Sequence, residues 1–239
     1  MSDDAPSLPP LFSGLEAAAP FDEAVAQARR GIDPGLVTYR LGDARLSAAL
    51  VLAPEAPLED AMAMLLAAGN GFADAFGALS PSEVACQFDW PGGIRINGAH
   101  AGQLIAAAAT HDPATEPDWL VIGLEIAIRG EISGAEPGTQ PDETTLWDEG
   151  CTDITPARML ESWSRHTLVW IHEWLDSGIA RIHRDWTGRA WGLGKEITVT
   201  YAGEALNGTF AGLDERGGLL LKEASGVRLV PLSAMLEDV

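Results

Sequence analysis

Cysteine is nearly absent from this chain of 239 residues, with Cys86 and Cys151 standing alone. Two thiols make no disulfide framework, and no paired metal-ligand spacing accompanies them. Both are expected to be buried thiols, and no metal site is expected. Cations are scarce too. Fifteen Lys and Arg face 35 Asp and Glu, a formal charge of −20, so a phosphate backbone or an anionic membrane surface would be repelled over most of this surface. Neither nucleic acid nor a membrane is expected as a partner. The first ten residues lack the basic and apolar blocks of a leader, and no later apolar run approaches the roughly eighteen residues of a membrane span. The cytoplasm is the expected compartment. Gly42, Gly92 and Gly93 lack the Gly-x-x-x-x-Gly-Lys-Ser/Thr spacing of a phosphate loop.

Apolar residues, at 46% of the chain, suffice for one sizeable core and a small appended unit. Residues 1–20, with four prolines and the run Ala17 to Ala19, read as a surface-wrapping arm. Phe21 to Arg30 carries Phe21, Ala24, Val25 and Ala28 on one helical face. Leu36 to Leu41 and Arg45 to Leu52 form a hairpin around Gly42-Asp43-Ala44. Pro57 opens one long helix to about Ala78, supported by Glu59 and Asp60 near its positive end. Four strands follow, over Glu83 to Asp89, Gly93 to Asn97, Gly102 to Ala109 and Trp119 to Arg129, with a tight turn at Asn97-Gly98. A long exposed loop fills Gly130 to Glu149. Thr155 caps and Pro156 starts a helix to Gly178 whose stripe of Trp163, Trp170 and Trp174 is expected to face the core or a dimer partner. A shorter helix covers Ile179 to Trp186. Beyond Lys195, four short strands broken by Gly pairs suggest a small barrel.

The run Phe88-Asp89-Trp90-Pro91-Gly92-Gly93-Ile94-Arg95-Ile96-Asn97-Gly98, followed by Ala101-Gly102 and an apolar strand, resembles the central signature of the biotin and lipoate protein ligase superfamily. There a Lys-Trp-Pro-Asn-Asp run precedes a hairpin ending in Lys-Leu-Ala-Gly. Val121-Ile122-Gly123-Leu124-Glu125-Ile126-Ala127 is similar to the family's Val-Ile-Gly-x-Gly-Ile-Asn strand. Asp22-Glu23-Ala24 resembles the opening helix of the ligase domain, and Thr144 to Gly150 the segment before its last long helices. Gly194 to Val239 resembles an SH3-like C-terminal domain. The resemblance implies an α+β fold, a mixed and mostly antiparallel sheet with helices packed on one side, plus a small SH3-like β-barrel. The implied units are an arm over 1–20, a ligase-like domain over 21–193 and the barrel over 194–239. A preceding winged-helix domain is not expected.

Such a ligase joins biotin or lipoate to ATP as an acyl-adenylate and passes the acyl group to a carrier lysine, so fixed cations must meet the phosphate charge. This sequence departs from that need at several positions. The Arg- and Gly-rich loop is replaced by Tyr39 to Arg45, leaving Arg40 and Arg45 as phosphate-contact candidates or as exposed edge charges. Asp89 stands at the first lysine, Gly92 and Gly93 at the Asn-Asp pair, Ala99 or His100 at the second lysine, Glu125 at a glycine and Ala127 at the asparagine. His100 is the candidate for retained acid-base chemistry, against a plain backbone-bonded histidine. Trp90, Pro91, Gly92, Gly93, Gly102, Gln103 and Glu125 are the substrate-binding candidates. Trp90 with Pro91 would wall a pocket or pack in the core, and Gly102 would admit a ligand or form a bulge. His166 and His172 are expected to be structural, and Cys86 inert.

Two functions are therefore expected in competition. One is a divergent ligase-like protein that binds a small carboxylic acid or acyl group, with ATP-dependent adenylation lost or altered and a carrier-domain protein as partner. The other is a non-catalytic binding or interaction protein on the same frame. ATP and biotin or lipoate as cofactors, and a homodimer through a sheet edge, follow from the resemblance alone.

Overall fold

The computed structural model describes residues 5–130 and 142–239. The chain runs β1 (Ser13–Glu16), α1 (Pro20–Arg29), β2 (Leu36–Leu41), β3 (Arg45–Leu52), α2 (Leu58–Ala61), α3 (Ala63–Leu79), β4 (Cys86–Asp89), β5 (Gly93–Ile96), β6 (Ala99–Ala108) and β7 (Leu120–Ala127). It continues with α4 (Pro156–Ser177), α5 (Ala180–Thr187), β8 (Glu196–Tyr201), β9 (Glu204–Leu213), β10 (Leu219–Glu223) and β11 (Gly226–Val230). Seven strands form one sheet in the order β1-β2-β3-β7-β6-β5-β4, antiparallel except for the parallel pair β1-β2. The last four strands form a separate antiparallel sheet of the SH3-like cap.

The branched strands of the sequence land where their alternation requires. Along β3, Leu46, Ala48 and Leu50 enter the core shared with α3 and α4, while Ala49 and Val51 enter a smaller cluster under α1. Helices thus cover both faces of the sheet, not one as expected. The reason lies in the period of two: Ala49, Val51, Ala107 and Val121 form an apolar patch on the second face that Ala24, Val25 and Ala28 of α1 bury. The arm also differs from expectation. Its residues 13–16 add a parallel strand at the sheet edge, where the Ser13 amide donates to the Gly35 carbonyl at 3.0 Å. Unpaired main-chain groups on β2 supply this pairing, which composition does not reveal.

The expected long helix is broken at Met62, which is helical in φ and ψ but ends α2. Among the described residues, Leu58–Leu79 is long and apolar enough to cross a membrane, with mean hydropathy 1.3 over its window. This corrects the expectation that no run is so apolar. Its window is 78% buried inside the protein, as befits the helix that lies at the centre of the core. β4 starts at Cys86 because Pro81 to Val84 closes a turn, with the Val84 amide donating to the Pro81 carbonyl at 3.2 Å. β6 starts earlier than expected, at Ala99. The tryptophan stripe of α4 faces inward: Trp163 and Trp170 are buried, and their indole N–H groups donate to the Ala68 carbonyl and to Asp74. The Thr155 hydroxyl caps α4 by accepting from the Arg158 amide, as predicted.

The cap is tied to the larger unit by specific bonds. Trp90 Nε1 donates to the Gly217 carbonyl at 2.9 Å, Arg216 pairs with Glu59 and Asp60, and the Glu237 amide donates to the Ala106 carbonyl.

Candidate functional site

Antiparallel register brings together residues that the sequence keeps far apart. Arg40 lies opposite Ser47, Ser47 opposite Glu125, and Glu125 opposite Gln103. Directly opposed residues share a face, so these four form one polar row across β2, β3, β7 and β6. Leu46, Leu124 and Leu104 alternate with them into the helical core, so the row points to the other face, the one covered by α1. Arg45, opposite Ala127, stands one step further along the same face.

Beside this row is a hollow of about 230 Å³, bounded by Pro20, Phe21, Asp22, Ser47, Ile105, Gly123 and Glu125. Its floor is Gly123. A side-chain carbon there would come within 2.7 Å of the Phe21 ring and 2.9 Å of Ile105, so Phe21 already fills part of the space above the strand. α1 holds Phe21 in place, because its start is fixed by Pro20 and by the buried Thr38 hydroxyl donating to the Pro20 carbonyl at 2.6 Å. Glu125 leans toward Arg45, Oε2 to Nη1 3.8 Å, and both side chains are about half exposed. Such a pair is weak. Arg40 reaches the Ala18 carbonyl at 3.4 Å and is otherwise exposed. The hollow thus offers an apolar floor and the carboxylates of Asp22 and Glu125, while the loosely held Arg40 and Arg45 stand outside it on the same sheet face.

The other expected site residues do not gather here. Trp90 is half-buried and anchors the cap, and it lines a different cleft. Gly92 and Gly102 are needed for close strand approach: a side-chain carbon would strike the Leu104 carbonyl from Gly92 and the Glu125 carbonyl from Gly102. Gly102 also flanks the irregularity where the β5-β6 register shifts between Ile94 and Arg95, which favours the bulge reading. Gly93, opposite Gln103, would crowd Asp89. Pro91 is half-buried between these groups. His100 is held by its main chain, its amide donating to the Asp142 carbonyl and its carbonyl accepting from the Thr144 amide at 2.9 Å.

Asp89 is not the isolated anion that its position in the motif suggests. Arg95 Nε donates to Asp89 Oδ2 at 2.6 Å, and Arg95 Nη1 donates to the Gly98 carbonyl at 2.8 Å. The charge reversal at Asp89 is therefore neutralised within the hairpin. Gln87 and Arg95 are cross-strand partners, as are Asp89 and Gly93, and the alternation with the buried Phe88 and Ile94 carries the signal that Arg95 shares a face with Asp89. The lysine count carried a further signal. Lys195 and Lys222 are the chain's lysines, so none precedes residue 195. Phe21, Ser47, Ile105 and Gly123 went unselected as site residues because nothing in their types marks them; only the register does.

Cys151 is buried as expected, whereas Cys86 is only half-buried; desolvation still pushes the Cys86 thiol up to about 12, against a smaller opposite pull from Arg189. Burial raises Cys151 too, with Glu149 and Glu83 adding to it. Among the described residues, no group of three His, Cys, Asp or Glu could hold a metal ion.

Comparison with known proteins agrees with this frame. Residues 8–188 match the model of the biotin/lipoate A/B protein ligase family, and residues 192–234 match the biotin protein ligase C-terminal domain. A biotin protein ligase-like protein of unknown function from Silicibacter sp. TM1040 is 48% identical, with TM-score 0.89, covering 98% of this chain and 100% of that one. The biotin--[acetyl-CoA-carboxylase] ligase of Paracoccus denitrificans is 22% identical over 95% of this chain and 92% of its own length. The biotin protein ligase of Aquifex aeolicus in complex with biotin and ATP shares the fold at TM-score 0.70 and 15% identity, covering 93% of this chain and 96% of that one. With a family model spanning most of its length, the chain belongs to the biotin/lipoate A/B protein ligase family.

Proposed function

We propose that this family member takes up a small carboxylic acid or acyl group in the hollow beneath α1, with ATP-dependent adenylation lost or altered. The observation that carries the reading is the composition of the sheet face: Phe21 stands over Gly123, and Glu125 puts a carboxylate in the row between Ser47 and Gln103. A phosphate approaching that row meets an anion where a donor is required. An acid of modest size instead has an apolar floor for its body, and its head would reach along the same sheet face toward Arg40 or Arg45, which stand outside the hollow. In that role Glu125 orients Arg45, and Asp22, in the first turn of α1, steadies the helix that carries Phe21. A carrier-domain partner and a homodimer through a sheet edge belong to the same proposal by family relation.

The test is calorimetric titration with biotin, lipoate, octanoate and ATP, beside pyrophosphate exchange. The reading expects heat with at least one acid, reduced by Ser47→Trp, and no exchange above background. Exchange at ordinary ligase rates would overturn the loss of adenylation. Silence with every acid would favour the second reading, a non-catalytic interaction protein, which draws on His100 being engaged through its backbone and on the want of any lysine near the hollow.

A further inference from the structure

A second cleft, of about 380 Å³, lies between the β4-β5 hairpin and the cap, walled by Trp90, Trp191, Ile197, Val199 and Phe210. It is larger than the hollow under α1 and built from both units. The segment after α5 makes this possible. Its Trp191 amide donates to the Phe88 carbonyl at 2.7 Å, which extends the sheet past β4 and sets the Trp191 ring against Gly98 at the hairpin turn.

Four charged side chains line the cleft: Asp89, Arg95, Lys195 and Glu196. Three are engaged. Asp89 is bonded by Arg95 at 2.6 Å, and Glu196 accepts from the Thr209 hydroxyl at 2.6 Å. Arg95 uses Nε and Nη1 on Asp89 and Gly98, which fixes its plane and leaves Nη2 without a partner among the described residues. Lys195 differs. Its Nζ lies 4.6 Å from the centre of the Trp191 ring and makes no ion pair among the described residues. In a chain with 35 acidic residues, a cation left unpaired above an indole, beside a guanidinium with a free edge, is an anion-seeking arrangement.

We infer that this cleft binds a small organic anion with an apolar body, a short aliphatic or aromatic carboxylate. The carboxylate meets Lys195 and Nη2 of Arg95, and the body lies along Trp191, Trp90 and Ile197. The site is separate from the hollow under α1, and it joins the hairpin to the cap, so its ligand also stabilises the seating of the cap.

Calorimetric titration of the full chain with hexanoate and 3-phenylpropanoate, and with the matching alcohols, tests this. The acids are expected to bind at least about ten-fold more tightly than the alcohols, as one charge-assisted hydrogen bond implies. Lys195→Met, an exposed position that leaves the fold intact, should lose about the same factor. Ser47→Trp, in the other hollow, should leave this binding unchanged. Equal affinity of acid and alcohol, or no binding at millimolar acid, overturns the site. Loss in Ser47→Trp with full binding in Lys195→Met also overturns it, while supporting the hollow under α1 as the acid site.

Discussion

The two faces of the central sheet were built under different demands. On the helical face, Leu46, Leu50, Leu104, Ile122, Leu124 and Ile126 are buried to within a few per cent against α3 and α4. On the other face, α1 covers Ala49, Val51, Ala107 and Val121 and then stops, leaving Ser47, Gln103 and Glu125 open at its end. The same three strands supply both sets, because alternate residues point to opposite sides. Glu125 and Ala127, two of the departures from the ligase pattern, fall on the open face. Meanwhile, the buried face keeps an ordinary apolar core. Substitution at an open face costs little stability, so a family frame can persist while the residues on that face vary.

Substitutions test this contrast. The largest effect is expected on the helical face: Trp163→Ala removes a fully buried indole and its bond to Ala68, costing about 3–5 kcal/mol by chemical denaturation. A loss under about 1 kcal/mol would show that α3-α4 packing is not what carries the fold.

A smaller effect concerns Cys86 and pH. Its thiol titrates near 12 in the folded chain, above the range near 8.5 of an exposed thiol. The raised value means that its contribution to stability is complete below the unfolded pKa and is lost as pH rises toward the folded one. Stability should therefore fall between about pH 9 and 12, by up to about 1.4 kcal/mol per unit from this group. Cys86→Ala should flatten that slope, and unchanged denaturation profiles in the two proteins would refute the assignment.

The smallest change belongs to the open face. Glu125→Gln should shift stability by no more than about 0.5 kcal/mol, since its pair with Arg45 is long and solvated. A loss of several times that amount would mean that the open face is structural after all, and the contrast between the faces would collapse.

Much of this was legible in the sequence. The hairpin at residues 36–52 and the Thr155-Pro156 start of α4 follow from turn chemistry and capping, which act over a few residues. The parallel edge strand was not legible, since Ser13 to Glu16 has no strand-like pattern and forms by pairing with β2. Nor was the break at Met62, where local geometry overrides a continuous apolar stretch. At the site, the family resemblance drew attention to Trp90, His100 and Gly102; in the structure the Trp90 indole bonds the cap, the His100 main chain bridges to Asp142 and Thr144, and Gly102 lies where two strands approach closely. Arg95 escaped notice because its partner Asp89 lies six residues away across a turn.

Local patterning accounts for most of the elements, the alternation that splits each strand between two faces, the excess of acid, and the absence of lysine before residue 195. These are local or additive properties. Register and packing decided the rest. Pairing across strands sets Arg40, Ser47, Glu125 and Gln103 in one row, the packing of α1 lays Phe21 above Gly123, and the docking of the cap brings Lys195 to the Trp191 ring that Arg95 also approaches. Such contacts depend on how distant segments close on one another, so no short-range pattern in the chain encodes them.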